Sequence, residues 1–172
     1  MVTSQHIITA LVYDKPGVLN RVASLFRRRG FNISSIAVGS SEILGVSRMT
    51  ILVDGANTMV EQVRKQLDKV VDVIKVCDIT GDSTIIRELA LIKVKSTSAT
   101  RSEIMQIVDI FRSKIVDVAV DSLTVEVTGD ELKVTSLYNL LKGFGIKEIT
   151  RTGIIGMTRG NTIVSDEDAN NG

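Results

Sequence analysis

The sequence holds few of the residues on which nucleic-acid and membrane binding depend. Its 172 residues include no tryptophan and only 3% aromatic residues, so the base-stacking platforms of single-strand binders are missing. The formal net charge is +1, which supplies no long-range attraction to nucleic acid or to an anionic lipid surface. No apolar run reaches the roughly 18 residues that a membrane-spanning helix needs. We therefore predict no nucleic-acid partner and no membrane.

Cysteine and histidine occur once each, as Cys77 and His6. A single cysteine rules out an intrachain disulfide framework and is typical of a reducing compartment; we interpret it as a small buried strand residue. A single imidazole rules out a metal site or catalytic dyad that needs two, and no carboxylate pair has an acid–base spacing beside a nucleophile. Because the N-terminus shows no signal-peptide pattern, we predict a cytoplasmic protein with no catalytic residues, metal site or cofactor of its own.

Aliphatic residues, by contrast, are plentiful. Hydrophobic residues make up 44% of the chain and charged residues 24%, as in a globular protein whose core is built from Val, Ile and Leu. In the first half, runs with strand periodicity alternate with helical three- and four-residue spacing. The predicted strands cover 6–13, 31–38, 46–53 and 71–79. One predicted helix covers 18–29 and is ended by Gly30. A second predicted helix is capped by Asn57. This β-α-β-β-α-β order is the ferredoxin-like arrangement.

The same order repeats after a predicted linker at residues 81–84. Strands are predicted at 88–95, 115–120, 123–127 and 146–155, and helices from Thr100 or Ser102 and over 132–144. We therefore predict an α+β protein with two ferredoxin-like βαββαβ domains, residues 1–80 and 84–160. The remaining residues, 161–172, form an acidic, Asn-rich tail that we expect to be disordered.

The first strand-to-helix loop carries the residues best suited to bind a small ligand. It consists of Asp14, Lys15, Pro16 and Gly17, and the proline restricts its backbone. Gly17 lets a ligand approach closely, and the amides of Val18 and Leu19 open a helix, where a carboxylate is favoured. Asp14 offers an acceptor for an ammonium group. The loop thus matches the two charged ends of a free amino acid, although the same residues also suit a plain turn.

A second candidate lies just beyond the first helix. Asn32 is early in the second predicted strand, where its amide either reaches a polar ligand or is an ordinary strand-start residue. The corresponding loop of the second half, residues 96–100, contains neither proline nor glycine. Only the first half therefore has a fixed loop before a helix, and we expect residues 1–80 alone to bind the ligand.

Several segments resemble one known family. They are YDKPGVLNRVASLFRRRGFNISSIAVGSSEILGVSRMTI at residues 13–51, KQLDKVVDVIKV at 65–76, RELALIKVK at 87–95 and TRTGIIGMTRG at 150–160. These segments resemble the regulatory subunits of acetohydroxyacid synthase, also called acetolactate synthase. The resemblance covers almost the whole chain apart from the tail, and its RGFNI, SRMT and RTG motifs are specific to this family among ACT-domain proteins.

The resemblance implies an N-terminal ACT domain that holds valine, or another branched-chain amino acid, at the interface of a homodimer. Carried over, the binding residues are Asp14, Lys15, Pro16, Gly17, Val18 and Leu19 of the loop, with Asn32 and Ile33 from the neighbouring subunit. Several relatives carry Asn at position 14, which leaves the ligand preference open.

The resemblance also implies a non-catalytic subunit that activates a catalytic subunit and confers feedback inhibition by valine. Thiamine diphosphate, Mg and FAD are then expected on that catalytic partner. Two other classes compete with this reading: a stand-alone ACT-domain amino-acid sensor with another target, and an enzyme on a ferredoxin-like scaffold. The lack of a catalytic constellation argues against the enzyme, and the second half's different loop argues against two equivalent sensing domains.

Overall fold

The computed structural model describes residues 4–28, 30, 32–81 and 83–160. The predicted tail at 161–172 lies outside these residues, as do Arg29, Phe31 and Asp82. In chain order the elements are β1 (Ser4–Tyr13), α1 (Val18–Arg28), β2 (Ile33–Ser40), β3 (Val46–Gly55), α2 (Asn57–Leu67), β4 (Val73–Asp78), β5 (Thr84–Lys95), α3 (Arg101–Ile110), β6 (Lys114–Val118), β7 (Ser122–Gly129), α4 (Glu131–Lys142), β8 (Ile146–Arg151) and β9 (Ile155–Thr158).

The chain divides into two compact units. The first unit comprises Met1–Ile85 with Ile155–Gly172, and the second comprises Ile86–Ile154. Strand β5 begins in the first unit, and β9 returns to pair with it. The division therefore differs at the boundaries from the predicted ranges 1–80 and 84–160.

The first unit is a four-stranded antiparallel sheet with two helices on one face. Its strand order is β2-β3-β1-β4, and β1 pairs with β3 from Ser4–Gly55 to Tyr13–Val46. Strand residues such as Ile8 and Ile51 form one core with Phe26 of α1 and Val63 of α2. The helices are amphipathic because their apolar residues recur every three to four positions.

The second unit repeats this plan. Its strand order is β6-β7-β5-β8, and its core joins Ile92 and Val125 of the sheet to Ile104 of α3 and Leu137 of α4. The predicted α+β class with two ferredoxin-like units is confirmed. No helix in the described ranges is both long and apolar enough to cross a bilayer.

Three predicted elements differ from the structure. Ala56, not Asn57, is the N-cap residue of α2, without a side-chain capping bond, so the predicted asparagine cap is wrong. The predicted strand over 146–155 is two strands, because Gly153 has a φ of +81° and the chain turns there. The predicted linker ends early, since β5 already begins at Thr84.

Candidate functional site

The loop of residues 14–17, the 14–17 loop below, is held at the end of the first sheet by backbone hydrogen bonds. The Tyr13 amide donates to the Asp72 carbonyl at 2.9 Å, and the Asp14 amide donates to the Gly45 carbonyl at 2.8 Å. The Lys15 amide donates back to the Tyr13 carbonyl at 2.9 Å. The loop is therefore fixed between the turn that precedes β3 and the turn that precedes β4.

Gly17 has the backbone conformation that the loop needs to enter α1. Its φ is +88°, and a Cβ built there would meet no atom within 4 Å. An L-residue with a side chain is strained at such a φ, while the space above the glycine is open. The position thus favours glycine for its backbone and leaves room for a ligand.

The first turn of α1 follows Gly17 directly. The Val18 amide makes a long 3.4 Å bond to the Lys15 carbonyl, and the Arg21 amide bonds to the Gly17 carbonyl at 3.0 Å. The amides of Leu19 and Asn20 have no hydrogen-bond acceptor among the residues that the structure describes. The free donors are therefore those of Leu19 and Asn20, one residue later than the predicted pair of Val18 and Leu19.

The side chains of the 14–17 loop and of the residue that follows it differ in exposure. Asp14, Lys15 and Pro16 are exposed, and the Lys15 ammonium lies 4.8 Å from the centre of the Tyr13 ring. Val18 is buried in the core, so its side chain is not available to an external ligand. The exposed Asp14 carboxylate can accept a bond from a cationic group of a ligand.

An ion pair with one buried partner, which the sequence analysis missed, lies next to the loop. Asp72 is only 9% exposed at its side chain, and its carboxylate pairs with the guanidinium of Arg21 in α1, which is 58% exposed. Because the Asp72 carbonyl also accepts from Tyr13, one residue holds both the loop and the first turns of α1. The available signal was the charge of Asp72 inside an otherwise apolar run.

Asn32 and Ile33 lie at the other end of the same sheet. Ile33 pairs with Val53, which pairs with His6, whereas the loop follows Tyr13. His6 and Tyr13 are seven positions apart along β1, which is about 24 Å at 3.4 Å per residue. Asn32 is exposed. A single chain therefore does not bring all the predicted binding residues together.

The corresponding position in the second unit has the same backbone bonds but different side chains. The Lys95 amide donates to the Gly145 carbonyl and the Ser96 amide to the Asp121 carbonyl, as Tyr13 and Asp14 do in the first unit. The Arg101 guanidinium then donates to Ser96 Oγ at 3.3 Å and to two carbonyls of the turn before β7 at 2.9 Å each. A side chain of the chain itself thus occupies the region next to this loop.

The charges at the two helix starts also differ. The first turn of α3 contains Glu103, whereas that of α1 contains no acidic residue. An acidic side chain near a helix N-terminus offsets the partial positive charge there. Of these two helix N-termini, that of α1 is therefore the better binding position for an external carboxylate.

Metal-ligating side chains and the single cysteine are the other groups that could carry chemistry. In the part of the chain that the structure describes, no three metal-ligating side chains are grouped to hold an ion. Burial raises the pKa of the Cys77 thiol in β4, with smaller electrostatic contributions from neighbouring charges. At neutral pH the thiol is therefore protonated and weakly nucleophilic.

Comparison with known proteins places both units in one family. Residues 8–75 match the family model described as the AHAS small subunit-like ACT domain, and residues 87–160 match the one described as the small subunit of acetolactate synthase. A probable acetolactate synthase small subunit from Methanothermobacter thermautotrophicus is 56% identical, covering 90% of this chain and 93% of the relative. The small subunit from Bacillus subtilis is 52% identical, covering 91% of each.

A solved structure supports the same assignment. The crystal structure of the acetolactate synthase small subunit from Thermotoga maritima superposes with a TM-score of 0.85 at 46% identity, covering 92% of this chain and 99% of that one. Both the sequence and the fold of that protein are therefore similar to this chain along nearly its full length.

Proposed function

This chain belongs to the small-subunit family of acetolactate synthase, and we propose that it is a regulatory subunit that activates the catalytic subunit and makes it sensitive to valine. In this proposal the chain itself is non-catalytic and works in the cytoplasm. The thiamine diphosphate, Mg and FAD of the synthase belong to the catalytic partner. The regulatory chemistry belongs to the 14–17 loop.

One observation carries the ligand proposal: free amides of α1 lie beside an open glycine and no acidic residue of the first turn neutralises them. The Leu19 and Asn20 amides suit the carboxylate of an amino acid, since a helix N-terminus attracts anions. The exposed Asp14 carboxylate suits its ammonium group. The open space above Gly17 leaves room for the ligand's backbone.

We further propose that two copies of the chain share each valine site. Strand β2 is an edge of the first sheet, and two β2 strands can pair antiparallel about a twofold axis. With Ile36 and Ala37 at the centre of that pairing, residue 32 of one copy lies beside residue 41 of the other. Residue 41 follows β2 at the end where the 14–17 loop begins. Asn32 and Ile33 of one copy thereby approach the loop of its neighbour.

Reconstitution tests the regulatory role directly. The purified chain is titrated into the purified catalytic subunit, and acetolactate formation is measured with and without valine. We expect the chain to raise the rate and valine to lower it again. A chain that binds the catalytic subunit yet leaves both rate and valine sensitivity unchanged would contradict the proposal.

Mixed dimers test whether the site is shared. A dimer that combines one Gly17→Asp chain with one Asn32→Ala chain has one doubly altered site and one unaltered site if loop and asparagine come from different copies. Co-expression with two affinity tags isolates this mixed dimer, and calorimetry should find half the wild-type number of valine sites at wild-type affinity. If each site came from one chain, the mixed dimer would contain no unaltered site. Sedimentation of the wild-type chain as a monomer at micromolar concentration would also count against the shared site.

A further inference from the structure

Three segments meet at one end of the first sheet, which we call the loop end: residues 13–19, 41–45 and 68–72. Two of the backbone bonds described above join them, from Tyr13 to Asp72 and from Asp14 to Gly45. Strands β1, β3 and β4 place the segments side by side, because Tyr13 pairs with Val46 and Val12 pairs with Val73. The three segments are therefore one continuous surface on a fixed backbone.

Four large apolar side chains are exposed on this surface among charged ones. Leu44 is fully exposed and Val71 is 87% exposed, while Leu19 and Tyr13 are 49% and 43% exposed. The strand residues directly behind them, such as Val12 and Val46, are buried. Large apolar side chains grouped on a surface mark a site of protein interaction.

Charged residues surround the apolar group. Glu42 pairs with Arg48 at 3.0 Å on one side, and Arg21 pairs with Asp72 on the other. An apolar centre with a charged rim is the anatomy of a protein–protein interface. The charged residues at the rim already form ion pairs within the chain. Burial of the exposed apolar side chains would therefore supply most of the binding free energy of a partner.

A second copy of the chain reaches only one side of this surface. In the proposed dimer the copies meet at β2, next to the turn that holds Leu44. Val71 precedes β4, the opposite edge of the sheet, and β1 separates β3 from β4, so the two turns are about 10 Å apart at 4.8 Å per strand. In that dimer Val71 lies farther from the second copy than Leu44 does, so a different chain is better placed to cover both.

We infer that the loop end is the surface that binds the catalytic subunit of acetolactate synthase. The inference rests on the proposed function, in which that subunit is the partner of this chain. The turns at residues 41–45 and 68–72 accept hydrogen bonds from Asp14 and Tyr13. A ligand that shifts the 14–17 loop therefore also shifts the contact surface. Sensing and docking are thereby joined through two backbone bonds.

The test compares two double variants of the full chain. Leu44→Ser with Val71→Ser removes the apolar centre, and Leu132→Ser with Val120→Ser makes the same chemical changes at exposed positions of the second unit, which are 79% and 93% exposed. Binding to the purified catalytic subunit is measured by sedimentation and by the chain concentration that half-saturates activation. We expect at least a tenfold higher half-saturating concentration for the first variant and wild-type behaviour for the second.

Equal affinity of both variants and the wild type would overturn the inference, as would an equal loss in both. A first variant that sediments alone as a smaller species than the wild type would assign the surface to contacts between copies, and also overturn it. If the serine variant does not fold, the double variant Leu44→Ala with Val71→Ala, which adds no polar group, replaces it. The same results then support or overturn the inference. Calorimetry with valine on the chain alone separates the two proposals. If the wild-type chain does not bind valine but the first variant no longer binds the catalytic subunit, valine sensing is refuted and the docking surface is supported.

Discussion

Replacing Gly17 by aspartate tests the valine site most directly, because it adds a negative charge where the ligand's carboxylate is proposed to lie. A Cβ at this position meets no atom within 4 Å, so there is room for the first atom of the new side chain. The φ of +88° does impose strain on it, of the order of 1–2 kcal/mol. Gly17→Asn is the matched control, since asparagine has nearly the same shape, tolerates positive φ better than most residues and carries no charge.

The size of the charge effect follows from Coulomb's law. Two like charges about 4 Å apart repel by roughly 4 kcal/mol at an effective dielectric of 20. The loop is exposed, so water and salt reduce this strongly. Even a quarter of it, about 1 kcal/mol, corresponds to roughly fivefold weaker binding. We therefore expect Gly17→Asp to bind valine at least about fivefold more weakly than Gly17→Asn, with a smaller difference at high salt.

The assay is a valine inhibition curve on the reconstituted synthase for each variant, supported by calorimetry on the chain alone. Because Gly17 lies in the loop end, each variant is added at the concentration that saturates its own activation of the catalytic subunit before valine is titrated. The reasoning is refuted if Gly17→Asp folds, activates and keeps the valine sensitivity of the wild type. The 14–17 loop would then be only a turn.

Three further predictions concern single residues. Asn32→Ala should weaken valine binding by about 1 kcal/mol or more through loss of a polar contact, without changing activation; an unchanged inhibition curve would exclude Asn32 from the site. Asp72→Asn should lower the free energy of unfolding by about 1–3 kcal/mol, less than for a fully buried pair because Arg21 is largely exposed, and a thermal melt indistinguishable from wild type would show that the pair contributes nothing. Cys77 should react with iodoacetamide more slowly than free cysteine at pH 8, with a rate that keeps rising above that pH, because burial raises its pKa; a rate equal to that of free cysteine would contradict this.

Local patterns were sufficient to predict the order of the elements. The apolar spacing from Val18 predicts α1 within one residue of its observed end at Arg28, because the same residues that set the period also fill the core. The two-strand ending of the second half was not predicted, since Thr152 and Ile154 continue a β-branched pattern. What interrupts that pattern is the backbone of Gly153, together with a bond from the Thr152 amide to the Leu89 carbonyl. That partner is 63 residues away, so no local pattern indicates it.

The candidate site was predicted in part for the same reason. Proline, glycine and the start of an amphipathic helix are adjacent in sequence, so the loop is visible without a structure. Asp72 is not visible in this way, because its role depends on Arg21, 51 residues earlier. The shift of the free amides from Val18 to Asn20 likewise depends on the bond between Val18 and Lys15, a detail of turn geometry that residue types alone do not specify.

The proposal that only the first unit binds an amino acid rests on side chains rather than on the fold. Each unit fixes its first strand-to-helix loop with the same pair of backbone bonds, so the scaffolds offer equivalent positions. In the second unit the Arg101 guanidinium bridges the loop to the neighbouring turn, and Glu103 offsets the positive end of the helix. In the first unit α1 begins with Val18, which is buried in the core. We therefore propose valine sensing for the first unit alone, since the start of α3 is next to Arg101 and Glu103 whereas the first turn of α1 holds no acidic residue.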